Sequence, residues 1–482
     1  MEKERLYSAI SFVFPLIIYI VSLRGLKTGH GNSIIATQYS LWLHDSITIG
    51  VAGHPFTNTV DKILYNGVYY SPFAPGFTFI SYPFSVIGFL LDGVPSISGN
   101  AILMDELFLA ISASIAAFLV YKICRFYAGA AESLLASFTL AFATIAWSFT
   151  TVVFSHDATM LFCLLAAYFV IKFSRDSQKI QYIVFAGLSL GAASFTEYLA
   201  TLLIIPFLLY LVFSFRAKGL GVLRVKWKLL VFLIGSAVGP VLDLGYNYLI
   251  FGDPLTFPEQ YWKNHASLVS QFTIGSLAVN SIYNLISPYR GLFLFSPVLV
   301  LGIYGMYRMG RSSPQNRIDT YFLLLLFLFV LLPYSAWSDW TGGASFGPRF
   351  IIYGMPFLVI PIAYLLFEKK TLLVRASFVA FFAVSVFIQE AGAFTSATAA
   401  SSNSVLTYQP ISFSIPRLFN GQLDVWWLET LDLSSATWLI QLFVVISFFA
   451  VLYLVSYLVF RGGRFTQAMT PKQQTRILAD KQ

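Results

Sequence analysis

Twelve apolar runs close to membrane-spanning length recur along this chain, at about residues 6–23, 101–121, 134–154, 158–173, 181–196, 198–215, 229–250, 291–307, 318–336, 350–367, 371–393 and 436–460. Crossing the hydrocarbon of a bilayer takes about 20 such residues in a helix. Composition carries the same message. Of 482 residues, 57% are apolar and 11% are charged, where a soluble domain carries about 25% charged residues. The mean hydropathy is +0.74. No soluble core of this length buries so much apolar surface, so the solvent expected is lipid. Cys124 and Cys163 both fall in apolar runs, which argues against a disulfide framework or a cysteine metal site. The expected fold class is an all-α polytopic membrane protein with about 12 transmembrane helices.

A thirteenth run, about 77–91, is shorter and is broken by Pro83 and Gly88. Its placement decides the orientation of everything after it, and the positive-inside rule chooses. With 77–91 on the membrane surface and the N-terminus cytoplasmic, 23 of the 30 Lys and Arg face the cytoplasm. Only Arg24, Lys27, Lys62, Lys263, Arg290, Arg349 and Arg417 stay outside. If 77–91 crosses, every later loop flips and most basic residues land outside. The expectation is therefore an integral domain over 1–460 with both termini cytoplasmic and a basic cytoplasmic tail over 461–482. Its external segments are about 24–100, 251–290, 337–349 and 394–435, the first carrying juxtamembrane helices. No cleavable signal peptide is read at the start, because Met1–Arg5 leads into a span without an A-x-A-like site. The net charge of +8 is explained by topology and anionic inner-leaflet lipid, and nucleic acid is not an expected partner.

In this arrangement all five histidines, His30, His44, His54, His156 and His265, fall on the external side. So do Asp45, Asp61, Asp157, Glu197, Asp253, Glu259 and Asp339. Carboxylates, imidazoles and aromatics thus gather at one membrane face. The plain alternative is that polar residues occupy any interface and that acids are left outside by the positive-inside rule. The cytoplasmic face carries no G-x-x-x-x-G-K-[ST] and no G-x-G-x-x-G, and H-E-x-x-H does not occur, so nucleotide and zinc-hydrolase chemistries have no motif. The two G-x-S-x-G matches, at 187–191 in an apolar run and at 343–347 in an external segment, lack the strand-to-helix setting a serine hydrolase needs in a chain read as all-α. A lipid or glycolipid transporter or flippase is the competing class. Repeated halves and mid-membrane charges would mark it; no repeat is found, and the deep acids Asp243 and Glu390 lie toward the external ends of their runs.

Four motifs then stand in order: Asp61-Lys-Ile-Leu-Tyr-Asn-Gly-Val-Tyr-Tyr-Ser-Pro-Phe-Ala-Pro-Gly76, Tyr246-Asn-Tyr-Leu-Ile-Phe-Gly-Asp-Pro254, Tyr289-Arg-Gly-Leu-Phe-Leu-Phe-Ser-Pro297 and Trp340-Thr-Gly-Gly-Ala-Ser-Phe-Gly-Pro-Arg349. Over about residues 1–370 the chain resembles the polytopic C-superfamily glycosyltransferases, in the branch related to protein O-mannosyltransferases and lipid-A aminoarabinose transferase. The resemblance implies a polyprenyl-phosphate sugar donor, used at the external face, and a juxtamembrane helix at 77–91. It implies a lipid-phosphate-sugar-dependent, inverting glycosyltransferase acting on a glycan, lipid or protein acceptor. Two departures stand out. Family members commonly place an acid just after span one, where this chain has Asn32, and many have Lys where it has Phe73.

The chemistry assigns roles. Asp61 is the first candidate for the base that activates the acceptor hydroxyl and Asp45 the second; a cap or turn residue is the ordinary alternative for Asp61. Arg349 and Arg290 are the candidate donor-phosphate ligands, since a guanidinium holds two phosphate oxygens at once and stabilises the charge that develops on the leaving group. His156, Asp157, Glu197, Tyr70 and Trp340 are placed on the acceptor and sugar side. Trp337, Trp42 and Tyr69 share the stacking role with Tyr70 and Trp340, against the ordinary use of such residues as aromatic-belt anchors. A divalent metal held by His156, Asp157 and Asp61 has no fixed spacing to specify it. A relative that keeps the groove and has lost the base, as Asn32 hints, is the remaining alternative.

Overall fold

The computed structural model describes residues 2–25, 28–50, 59–93, 100–176, 179–219, 222–261, 269–343, 345–395, 409–426, 428 and 437–465. Lys27, His54, Lys263 and His265, parts of the 394–435 segment and the tail beyond 465 lie outside the described residues. Among the described residues, eight helices are long and apolar enough to cross a bilayer: Glu2–Val21, Asn100–Cys124, His156–Arg175, Tyr198–Ala217, Lys226–Phe251, Pro314–Ala336, Leu372–Phe394 and Thr437–Phe460. The fold is thus all-α and polytopic, and its only described sheet is a two-stranded hairpin.

These eight do not by themselves make up the expected twelve. Four of the expected spans are short or interrupted. The run 134–154 divides into Ala130–Phe142 and Ala146–Thr150. The run 181–196 is the 17-residue helix Ile180–Thr196. The run 291–307 is Leu292–Phe295, a 3-10 turn Pro297–Leu299, and Val300–Gly310. The run 350–367 opens as a 3-10 segment, Arg349–Gly354, before Pro356–Glu368. Hydropathy does not register such interruptions, because the residues on both sides of a break remain apolar. At the other end, the helix Thr437–Phe465 continues past the expected boundary at 460.

We label the elements that build the site. After α1 (Glu2–Val21) comes α2 (Gly29–His44), started by Thr28, whose hydroxyl accepts from the Gly31 amide as an N-cap should. A hairpin follows, β1 (Ile63–Tyr65) and β2 (Val68–Tyr70). Its Asn66-Gly67 turn has φ of 48° and 80°, the left-handed pair that a tight hairpin needs. Ile63 seats it on Tyr246, Ile250 and Phe251. Next is α3 (Gly76–Asp92); at 17 residues it is about 25 Å long, short of the hydrocarbon thickness. It lies against α4 (Asn100–Cys124), where a Cβ on Gly88 would fall 2.5 Å from the Ala101 Cα. Gln38 binds the Thr78 carbonyl and Ser81, and Ser85 donates to Asp105, so α2, α3 and α4 share one buried polar network.

The remaining frame is α5 (Ala130–Phe142), α6 (Ala146–Thr150), α7 (His156–Arg175), α8 (Ile180–Thr196), the 3-10 segment Tyr198–Leu203, α9 (Ile204–Ala217) and α10 (Val222–Phe251). Helices α8 and α10 touch along Gly187, Gly191, Gly235 and Gly239. A Cβ on Gly239 would lie 1.8 Å from the Gly191 carbonyl oxygen and one on Gly187 2.6 Å from that of Phe232. Small residues allow this approach, and dispersion between the backbones replaces the hydrophobic drive that lipid withholds. Gly245, on the same helix, has nothing within 4 Å of such a Cβ. Gly239→Val should therefore lower the thermal midpoint in detergent by about 5 °C or more, while Gly245→Ala leaves it nearly unchanged. Equal midpoints for the two variants would show that the α8–α10 contact does not hold the frame.

Candidate active site

Where α7 begins and α8 ends, a cavity of about 340 Å³ opens between the loops. Its polar end is built around His156, the first residue of α7. The imidazole stacks on Phe154 (6.1 Å between centroids, 7°) and meets Phe350 edge-on at 5.6 Å. Its Nδ1 lies 3.2 Å from Glu197 Oε2. Glu197 terminates α8 in extended backbone (φ −155°, ψ 111°), which turns its carboxylate back across the cavity; the Ser155 hydroxyl donates to the same oxygen at 3.4 Å. Burial acts to raise the Glu197 carboxyl, but His156, the Tyr334 hydroxyl and the Arg349 charge outweigh it and hold the group below its ordinary value.

Arg349 reaches the same end from the 337–349 loop. Its guanidinium carbon lies 4.7 Å from the Phe154 ring centroid and 5.0 Å from that of Phe350. The buried Nε has no hydrogen-bond partner among the described residues. Burial lowers the Arg349 pKa, opposed by Asp339, Asp61 and Glu197. Gly342 is needed here twice over: its φ is +69°, and a Cβ would sit 2.8 Å from Arg349 Nε. His30, second in α2, completes this end. It stacks on Phe73 at 3.6 Å and leans on Phe154 at 4.7 Å. Both of its ring nitrogens are buried without a partner among the described residues. Burial, with Arg349 and His156, pushes its pKa well below the ordinary histidine value, so the ring is neutral.

The rest of the cavity is of two kinds. Leu199, Leu202, Pro240 and Leu244 form an apolar wall, and Leu202 is 37% exposed, so this wall reaches the surface of the described structure. Asp243, Glu259, Gln271 and Trp337 form a second polar wall. The Gln271 amide nitrogen and one oxygen each of Asp243 and Glu259 are buried without partners among the described residues. Burial pushes Glu259 up to about 8, with the Glu197 charge adding to it and a backbone hydrogen bond opposing.

Of the residues expected from sequence, Arg349, His156 and Glu197 line this cavity. Asp61 does not line it, but packs behind its edge: a Cβ on Gly29 would fall 2.6 Å from Asp61 Oδ2, and the Asp61 charge is felt at Arg349. Asp45 is elsewhere. It is the exposed left-handed C-cap of α2 (φ 49°), about 22 Å along the helix from His30 at 1.5 Å per residue. Arg290 does not line the cavity either. Its guanidinium donates to the carbonyls of Thr341, Gly343, Ser345 and Tyr289, which makes it a clamp on the loop that presents Arg349. Asp157 turns inward, taking the Thr150 hydroxyl at 3.3 Å. Tyr70 packs with the hairpin cluster around Tyr246, and Trp340 stacks on Tyr283; neither lines the cavity. Trp42 stacks on Phe89, Lys62 covers Tyr69, and Trp337 is on the lining. Among the described residues no three His, Cys, Asp or Glu converge as a metal would require. His30, Gln271 and Glu259 were not singled out as site residues by sequence reasoning. The one signal for His30 was its setting, Gly29-His-Gly31, in which both glycines allow close backbone approach.

With the geometry in hand, comparison with known proteins is informative. A family model described as dolichyl-phosphate-mannose-protein mannosyltransferase matches residues 83–242, less than half of the chain. No curated protein matches by sequence. The crystal structure of ArnT from Cupriavidus metallidurans bound to undecaprenyl phosphate is similar over 97% of this chain and 80% of that one, at 14% identity and a TM-score of 0.53. Its apo form is similar over 94% and 73%, at 15% identity and a TM-score of 0.56. The oligosaccharyltransferase of Archaeoglobus fulgidus follows at 12% identity and a TM-score of 0.51, over 90% of this chain and 56% of that one. The fold is thus similar to that of ArnT and of the archaeal oligosaccharyltransferase, the kind of membrane fold the sequence motifs implied.

Glu259 supplies a test of the site's electrostatics. Its folded pKa of about 8 exceeds the ordinary 4.5, so the folded chain keeps a proton that the unfolded chain releases. That stabilisation is complete below the unfolded value and is lost as pH rises through the folded one. Between about pH 5 and about pH 9 the thermal midpoint should fall, and Glu259→Gln should flatten the decline. An unaltered slope in the variant would mean that Glu259 is ionised in the folded protein.

Proposed function

We propose that this protein transfers a sugar from a polyprenyl-phosphate-linked donor to an acceptor hydroxyl. One observation carries the reading: a single cavity joins an apolar wall that reaches the surface, at Leu202, to a buried arginine with an unpaired Nε. A polyprenyl phosphate has the matching form, an isoprenoid tail that stays between helices and an anionic head. The ArnT structure similar to this one is described as bound to undecaprenyl phosphate, which supports the reading.

Arg349 holds the phosphate, whose charge grows as the bond to the anomeric carbon breaks, and the guanidinium stabilises that charge where it develops. Phosphate is a good leaving group without prior protonation, so a second carboxylic acid is unnecessary, in contrast to glycoside hydrolysis. Attack from the side opposite the phosphate inverts the anomeric centre. Trp337 and the second polar wall of Asp243, Glu259 and Gln271 offer an aromatic surface and hydrogen-bonding groups for hydroxylated substrate. Asp61, behind Gly29, adds a counter-charge for Arg349. The positive-inside count supports cytoplasmic termini and a site on the external face, where a glycan, lipid or protein acceptor is met.

Purified protein incubated with a panel of polyprenyl-phosphate sugars and a membrane extract should release polyprenyl phosphate. Arg349→Lys keeps the charge but loses the planar fork, so donor affinity should fall roughly 10- to 100-fold, the range of a lost charged hydrogen bond. Movement of lipid across vesicles without release of phosphate would replace this reading with a transporter, and absence of both would leave an inactive relative.

A further inference from the structure

We infer that His156, held by Glu197, is the group that takes the proton from the acceptor hydroxyl. The inference rests on the glycosyl-transfer reading above and adds a residue to it. Neither carboxylate expected to serve as base, Asp61 or Asp45, lines the cavity, whereas His156 and Glu197 both do. Glu197 is itself committed, since its Oε2 faces both His156 Nδ1 at 3.2 Å and the Ser155 hydroxyl at 3.4 Å.

The histidine is set up as a base. A carboxylate 3.2 Å from Nδ1 favours the tautomer with the proton on that nitrogen by charge, which leaves the lone pair on Nε2. Both ring nitrogens are buried and without a well-aligned hydrogen bond among the described residues, but Nδ1 has the Glu197 carboxylate at 3.2 Å while Nε2 faces no such group. The ring cannot easily rotate away, because Phe154 lies parallel to it and Phe350 stands against its edge. The charged and titratable groups around it are Glu197 at its Nδ1, Arg349 and His30 across the cavity, Asp157 on its own helix and Tyr334 beside Glu197. Arg349 disfavours an imidazolium before substrate arrives, and Glu197 stabilises the one that forms.

In the step, the acceptor oxygen forms its bond to the anomeric carbon while its proton passes to His156 Nε2. The bond from that carbon to the phosphate oxygen breaks, and its electron pair leaves with the polyprenyl phosphate. The imidazolium paired with Glu197 then returns its proton to water. In this arrangement His156 touches the reacting hydroxyl and Glu197 is a positioning residue.

The test is transfer by the full-length protein in detergent, with a polyprenyl-phosphate sugar that the wild type uses. His156→Ala and the bulkier His156→Gln should each lose roughly 10²- to 10⁴-fold in turnover, the usual contribution of a positioned base. Binding of sugar-free polyprenyl phosphate should remain within about twofold, and added imidazole should restore part of the turnover of His156→Ala. In the wild type kcat/KM should fall at low pH as the ring protonates. Glu197→Gln should move that limb to lower pH, and Asp61→Asn should keep it, whatever its rate. Wild-type turnover retained in both His156 variants, or a limb abolished only by Asp61→Asn, would overturn the assignment while leaving glycosyl transfer intact. No turnover by the wild type with any donor would remove glycosyl transfer itself, and this step with it.

Discussion

A carbonyl oxygen withdrawn from water inside a membrane protein must find a donor, and the architecture around the site depends on how this chain supplies one. Helices break at the ends of α6, at Ser296 and again near 395, and each break leaves carbonyls that would cost about 1–3 kcal/mol apiece if unpaired. Arg24, just past α1, donates to the carbonyls of Ser148, Thr151, Gly392 and Thr395. Burial lowers it only to about 10, so it stays charged at neutral pH. Glu106 accepts from the amides of Arg24 and Gly25 at 3.0 and 2.8 Å. Gln389 donates to the Phe295 carbonyl, and Arg290 serves those of Thr341, Gly343 and Ser345. Long polar side chains thus do at the helix ends what water does in a soluble protein.

That device has a functional return. Broken helices end in loops that turn over the bundle instead of running on into solvent, and loops from α2, α7, α8 and the 337–349 segment meet at one point. Arg290 is used up in holding the 341–345 backbone, and Arg349, eight residues beyond Thr341 in the same loop, is left with an unpaired Nε. The division between the two arginines is set by what each can reach. Phe154, Phe350 and Phe73 pack an aromatic surface against Arg349, His156 and His30, and apolar surroundings strengthen each electrostatic contact made there.

How much of this could be read beforehand differs by level. The all-α class and the multi-pass character were legible, because composition and hydropathy report on them directly. The helix at 76–92 was legible from its apolar run, but Pro83 and Gly88, read as breaks, lie inside a continuous helix. The interruptions at 143–145 and 296 were not, because apolar residues flank them and hydropathy has no term for a missing hydrogen bond. Arg349, His156 and Glu197 were legible from their loop positions. The separation of Arg349 from Arg290, and of His156 from Asp157, was not, since neighbouring residues in a loop or first helical turn point in different directions. His30 escaped because a lone histidine beside a span is more often a core residue, and only the fold brings Phe73, Phe154 and Arg349 around it.

The central claim is that one cavity accepts a lipid phosphate with its head at Arg349 and its tail along the Leu202 wall. A cryo-electron microscopy structure of the protein with a polyprenyl phosphate in a nanodisc tests it directly. The account predicts phosphate density within hydrogen-bonding distance of Arg349 Nε, with the first isoprenes passing between the 198–203 segment and α10. Phosphate density elsewhere, with Arg349 still unpaired, would contradict it.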